Sequence, residues 1–303
     1  MELRDAQRSK VKARIGMSGT SGSGKTYSAL RLAYGLCGDW NKIALIDTEG
    51  GRGEFYSETN IRDIPIGKYK YLALDEPFTP QRYIQAIKIC EQAGVEVIII
   101  DSLSHAWAGS GGMLDMKDAY ASNMKNDFTA WKKVTPEHNK LVETLLRVKT
   151  HLFVTLRSKT EYTLVENAKG KKEPRKVGMA PIFRDGLEYE MTIFFEVNQE
   201  HYASASKDNT GLFDGQPFVA TEKEGQAIRE WLESGSEPPA PKELDKGKVQ
   251  RLAILRKQKG ITDEKHKEFL KNAGVESSKY LNEEQYKKYA DWLEKQPDVP
   301  SPQ

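Results

Sequence analysis

Gly19, Gly24, Lys25 and Thr26 fit the pattern G-x-x-x-x-G-K-[ST], inside a run from Gly16 to Lys25 that holds four glycines and four serine or threonine residues. Glycines at this density let the backbone curl until successive N–H groups converge on phosphate oxygens, and a following helix adds the positive end of its dipole. The lysine of such a loop reaches the outer phosphates, and the hydroxyl beside it holds magnesium. Gly19, Thr20, Ser21, Gly22, Ser23, Gly24, Lys25 and Thr26 are therefore the expected phosphate cradle, with Thr26 as a magnesium ligand.

Phosphate chemistry also needs carboxylates. Asp101 closes the apolar run VEVIIID, where it can accept a hydrogen bond from metal-bound water, and joins Thr26 in the expected magnesium site. Asp47 and Glu49 follow the run KIALI. A base or orienting group for the attacking water can sit at the end of a neighbouring strand. Two carboxylates two residues apart on extended chain share a side, so spacing leaves the choice between them open.

These residues need strands and helices to hold them. Val11, Ala13, Ile15 and Met17 alternate as a strand into the loop, and Ala29, Leu30, Ala33, Leu36 and Cys37 recur at helical spacing out of it, with Gly38 as the stop. Ile43–Ile46 reads as a second strand, YKYLALD carries a short one, and Pro80–Ala93 reads as a helix with Tyr83, Ile84, Ile87 and Cys90 on one face. Apolar strands alternating with helices mark a parallel sheet buried on both faces. Residues 102–135 read as a long polar, glycine-bearing segment, followed by a helix begun by Pro136 with Thr135 as its cap. After the strand HLFVTL, residues 157–185 read as irregular and basic, with eight lysines and arginines against four acids. YEMTIFFEV and HYASAS form an expected hairpin joined by Asn198, Gln199 and Glu200, and AIREWLE an expected helix. The fold class is thus α/β, a P-loop core with a mostly parallel sheet and a C-terminal hairpin.

The stretch SGSEPPAPK is a linker by composition, and three short amphipathic helices follow it. Thr262 opens the second of these, and Asn282 caps the third with Gln285 three residues on. The expected organisation is a core over 1–233, a linker over 234–242, a helical module over 243–297 and a tail over 298–303. The module is mildly basic, with 14 lysines and arginines against 11 acids from Lys242 to Gln303.

The chain has 303 residues, 38% of them hydrophobic and 30% charged, and its net charge of +2 makes any nucleic-acid surface a local one. No apolar run reaches the length of a membrane span, and the first residues lack a hydrophobic signal core, so no membrane partner and a cytoplasmic setting are expected. Cys37 and Cys90 sit on predicted apolar helix faces, as reduced buried thiols do.

In order and spacing, GTSGSGKT, LIDTEGG and VIIIDSLS resemble the RecA-like recombinase ATPases, specifically the short phage AAA-type members related to single-strand annealing proteins. The resemblance spans about residues 11–233. It implies a RecA-like fold with ATP and magnesium as ligands, Glu49 as the catalytic base and Asp101 at the Walker B position. It also implies a homo-oligomer with ATP sandwiched between subunits, and segments 102–135 and 157–185 facing DNA. The chain departs from the pattern where a glutamine senses the terminal phosphate; near the end of HLFVTL stand Thr155 and Arg157 instead. Lys207, after HYASAS, is the candidate for the basic group that completes a neighbour's site, although an exposed hairpin lysine needs no such role.

These readings converge on an ATPase that binds single-stranded DNA and promotes annealing or strand pairing, with a single-strand DNA-binding protein as a further expected partner. Lys169, Lys171, Lys172, Arg175 and Lys176 are the candidate phosphate contacts, and Phe128, Trp131 or Tyr162 the candidate stacking groups. A nucleotide-dependent scaffold or loader for replication proteins would bind without turnover. A small-molecule kinase would need an acceptor pocket and no basic segment.

Overall fold

The computed structural model describes residues 5–61, 63–124, 127–166, 172–236 and 243–298. The chain divides into two units, Met1–Ser236 and Glu237–Gln303. In the first unit the strands are β1 (Arg14–Gly19), β2 (Ile43–Asp47), β3 (Thr59–Ile61), β4 (Ile64–Ile66), β5 (Lys70–Ala73), β6 (Val97–Asp101), β7 (His151–Glu166), β8 (Lys172–Pro181), β9 (Ile193–Val197), β10 (Tyr202–Asp208) and β11 (Phe218–Val219). Its helices are α1 (Lys25–Cys37), α2 (Pro80–Gln92), α3 (Ser104–Ala108), α4 (Met113–Met124), α5 (Asp127–Arg147), α6 (Leu187–Glu190) and α7 (Glu222–Glu233).

The central sheet runs β11-β10-β9-β1-β7-β6-β2-β5. β1, β2, β5, β6, β7 and β9 pair in parallel, and β10 turns back antiparallel between β9 and β11. Alternation sends Ile98, Ile100, Leu152 and Val154 to one face, beneath α2, α3, α4 and α5. Val97, Ile99 and Phe153 go to the other face, beneath α1 and α7. Both faces are covered, which is why β2 and β6 carry almost no polar residue before their terminal aspartates. Each fully buried isoleucine of β6 contributes about 1.5–3 kcal/mol of hydrophobic stabilisation.

The loop-to-helix connection is held from behind. Gly35 in α1 meets α7 so closely that a Cβ there would stand 2.0 Å from the Glu222 carbonyl oxygen, and Gly225 in α7 allows the same approach from the other side. Beside that crossing, Arg31 and Glu222 form a half-buried ion pair.

Four parts of the chain depart from the sequence reading. Residues 102–135 are largely helical, containing α3, α4 and the first turns of α5. Pro136 lies inside α5 and does not begin it. The carbonyl that loses its helical partner belongs to exposed Lys132, where water can satisfy it, while buried Ala130 and Val134 hold the turn against the core. Residues 157–185 are not irregular over most of their length: β7 continues past the sheet to Glu166 and pairs antiparallel with β8, from Ser158↔Pro181 to Glu166↔Lys172. Interleaved charges had hidden the alternation of that ribbon. The β3–β4 hairpin, with Pro65 at its pairing, also went unseen.

The second unit holds α8 (Lys246–Gln258), α9 (Asp263–Ala273) and α10 (Glu283–Glu294). Asp245, Thr262 and Asn282 each accept backbone N–H groups at a helix start, and Asn282 with Gln285 forms a full capping box. Leu252, Leu270, Tyr289, Ala290 and Leu293 make its core. No described helix is long and apolar enough to cross a membrane.

Candidate nucleotide site

β1 is buried throughout and ends at Gly19, where the chain must pass under β9: a Cβ on Gly19 would lie 2.5 Å from the Val197 carbonyl oxygen. Gly22 and Gly24 adopt left-handed backbone, with φ of 80° and 89°. Only glycine takes that conformation without strain, so the turn from β1 into α1 depends on these two positions. Lys25 opens α1, is 9% exposed, and donates to the carbonyl oxygens of Gly19 at 2.9 Å and Thr20 at 2.8 Å. Burial lowers its pKa, and the nearby charges of Asp101 and Glu49 work against that shift.

Asp101 ends β6 almost fully buried. Thr26 donates to its Oδ2 at 2.5 Å, and Thr155 from β7 donates to its Oδ1. Burial raises the Asp101 pKa, and the two threonine hydroxyls oppose the rise. Thr155, weighed as a phosphate sensor, is thus turned onto Asp101 and wholly buried.

The two carboxylates after β2 have separate places. Asp47 is buried; its Oδ1 accepts from the Glu49 N–H at 2.5 Å, and its Oδ2 accepts from the Gly53 N–H at 2.9 Å and the Tyr71 hydroxyl at 3.0 Å. It ties the loop that presents Glu49. The Glu49 side chain is 13% exposed and is gripped by Arg157 on both oxygens, with Nε to Oε1 at 2.8 Å. Burial alone would raise the Glu49 pKa, but the Arg157 guanidinium holds it below the usual carboxylate range. Thr48 cross-links the strand ends: its N–H donates to the Asp101 carbonyl at 2.8 Å, and its hydroxyl accepts from the Ser102 N–H at 2.8 Å. His105 Nδ1 lies 2.7 Å from the same hydroxyl.

These groups converge on a cavity of about 450 Å³. Ser21, Gly22, Gly24, Lys25 and Thr26 line it from the loop, and Glu49, Asp101 and Arg157 from the strand ends. Arg52 and Tyr56 form one further wall, and His201, Val219 and Ala220 another. Gly19, Thr20 and Ser23 sit behind the lining; Ser23 is fully buried.

The remaining expected residues fall elsewhere. Lys207 does not line the cavity and donates to the Tyr189 carbonyl within its own chain. Lys172, Arg175 and Lys176 are in β8, opposite Glu166, Thr163 and Tyr162, whereas Lys169 and Lys171 lie outside the described residues. Trp131 stacks on Trp107, with Arg184 above it, and Phe128 is exposed beside Lys132. Arg52, His105 and His201 carried no sequence signal, since single residues outside a spaced motif acquire meaning only through the fold.

The residues present fit a magnesium nucleotide. Thr26 and Asp101 form a bonded hydroxyl–carboxylate pair beside a buried lysine, and the described residues contain no all-protein cluster of three or more metal ligands. Magnesium characteristically takes one or two protein ligands and completes its shell with phosphates and water.

Comparison with curated proteins finds no match. The family model described as AAA domain matches residues 11–226, which covers β1 through the first turn of α7. The chain therefore belongs to the AAA domain family of nucleotide-binding ATPases.

Proposed function

We propose that the chain is a magnesium-dependent ATPase that binds single-stranded DNA, assembles with further copies of itself, and promotes annealing or strand pairing. The observation that carries this reading is β7: one strand takes Arg157, at the wall of the nucleotide cavity, directly into a basic two-stranded ribbon. In this reading, ligand contact at the ribbon and chemistry at the cavity share one element.

Lys25 and the loop N–H groups hold charge on the outer phosphates. Magnesium, when bound by Thr26 and Asp101, supplies further neutralisation of phosphate charge. Glu49, held in its charged form by Arg157, orients the attacking water and takes up its proton. A terminal phosphate offers the Arg157 guanidinium a second anion, and sharing it frees a carboxylate oxygen for that water.

The test is ATP turnover with and without single-stranded DNA, together with DNA binding across a salt series. Stimulated turnover is expected. Replacing Lys169, Lys171, Lys172, Arg175 and Lys176 by glutamine is expected to weaken binding and flatten its salt dependence, because fewer counterions are released. Nucleotide binding without turnover would favour a scaffold, and an unchanged salt slope would remove the ribbon from the DNA surface.

A further inference from the structure

The turn between β9 and β10 touches the phosphate loop, at Thr20, Ser21 and Ser23. It is tightly made: the Asn198 N–H donates to the Tyr202 carbonyl at 3.0 Å, the Asn198 side chain accepts from the Tyr202 N–H at 2.9 Å, and the His201 N–H donates to the Asn198 carbonyl at 3.1 Å. His201 adopts left-handed backbone, with φ of 69°, which is uncommon for a residue with a side chain. That conformation places its ring against the loop. His201 Nδ1 lies 2.9 Å from the Ser23 carbonyl oxygen, so Nδ1 carries the proton and donates. Gln199 Nε2 donates to the Thr20 hydroxyl and, more loosely at 3.4 Å, to the Ser21 carbonyl.

A peptide unit is planar and trans, so its C=O and N–H point in opposite directions. Fixing the Ser23 carbonyl on His201 therefore aims the Gly24 N–H the other way, and holding the Ser21 carbonyl does the same for the Gly22 N–H. Gly22 and Gly24 both line the cavity, and both are glycines, whose flanking peptide planes rotate most freely. A Cβ on Gly24 would stand 3.0 Å from His201 Nδ1, so the ring and the glycine are fitted to each other. His201 also lines the cavity itself.

We propose that His201 and Gln199 are positioning residues for the nucleotide: from the β9–β10 turn they set the peptide planes that aim two cradle amides at its phosphates. A loop that reaches this arrangement before binding loses less conformational freedom on binding, so the benefit lies in affinity and not in the chemical step.

The experiment titrates the full chain with ADP and measures ATP turnover for His201→Gly, His201→Asn and Gln199→Ala. Glycine tolerates the left-handed backbone and removes only the ring, which separates the bond to Ser23 from damage to the turn. Loss of one such bond is expected to weaken ADP binding about fivefold and to raise KM for ATP by a similar factor, with kcat at saturation unchanged. His201→Asn keeps a donor and tolerates the backbone, and is expected to recover part of the loss. Wild-type ADP affinity in both His201→Gly and Gln199→Ala would overturn the proposal, as would a fall in kcat at unchanged KM. Lys25→Ala in the same titration reports on the nucleotide site itself: if it too binds normally, the site assignment fails before the turn is in question.

Discussion

The cavity has two walls of different construction. The loop wall, Ser21 to Thr26, offers a ligand mainly backbone N–H groups and one lysine, and its geometry comes from glycines within a few residues of one another. The strand-end wall, Glu49, Asp101 and Arg157, offers side chains from two strands and from the loop after a third, which meet only in the folded sheet. A backbone-built wall is written in local sequence, and a side-chain wall is written in the pairing of β2, β6 and β7. The first should fail by losing the ligand, the second by losing turnover.

The largest expected effect is on the loop wall. Lys25→Ala removes a buried positive charge that no amide replaces, and nucleotide affinity is expected to fall by about a hundredfold or more, measured by calorimetric titration. On the strand-end wall, Glu49→Gln should keep nucleotide affinity while turnover drops by at least about a hundredfold. Asp47→Asn should instead loosen the loop over Glu49–Gly53 and lower stability by about 1–3 kcal/mol, read by denaturant unfolding. If Asp47→Asn shows the loss of turnover and Glu49→Gln does not, the two carboxylates exchange roles.

Arg157→Gln sharpens the contrast through pH. The pair holds the Glu49 pKa down, so in the wild type this carboxylate, the proposed base, stays charged to below the usual carboxylate range. Without the guanidinium, burial is left to raise that pKa, and the acid limb of the turnover profile should move to higher pH. Stability follows the same sign: the contribution of a depressed carboxylate is present above its unfolded pKa of about 4.3 and is lost as pH falls through the folded value. In Arg157→Gln that contribution should be missing near neutrality. An unmoved acid limb would mean that Arg157 does not face Glu49 during turnover. The smallest effect on activity is expected from Gly35→Ala, behind both walls, where forcing α1 from α7 should cost about 1–3 kcal/mol of stability with nucleotide affinity nearly retained.

The same division explains what could be read from the residues alone. Gly19 to Thr26, β2, β6 and the β9–β10 hairpin were legible because motif spacing, unbroken apolar runs and period-two alternation are local signals. Glu49 could be separated from Asp47 only by resemblance, since both stand at the same strand end; the structure separates them by burial and by the three donors that Asp47 holds. The grip of Arg157 on Glu49 spans 108 residues, and that of His201 on Ser23 spans 178, distances over which sequence carries no pairing information. Residues 102–135 and the β7–β8 ribbon were missed for another reason: polar surfaces, a proline and interleaved charges suppress the periodicity that packing of one face restores.

The strand that carries Arg157 also has mechanical properties. Its backbone is pinned at that residue, with the N–H donating to the Ser104 hydroxyl at 2.9 Å and the carbonyl accepting from Ile182 at 2.7 Å, while the adjoining position of β1 is Gly19. Beyond this point Ser158–Glu166 extends about 30 Å as a paired arm. A sideways load on such an arm would be borne where the arm joins the sheet, at residue 157. That residue grips Glu49, and its neighbour across the sheet is the first glycine of the phosphate loop.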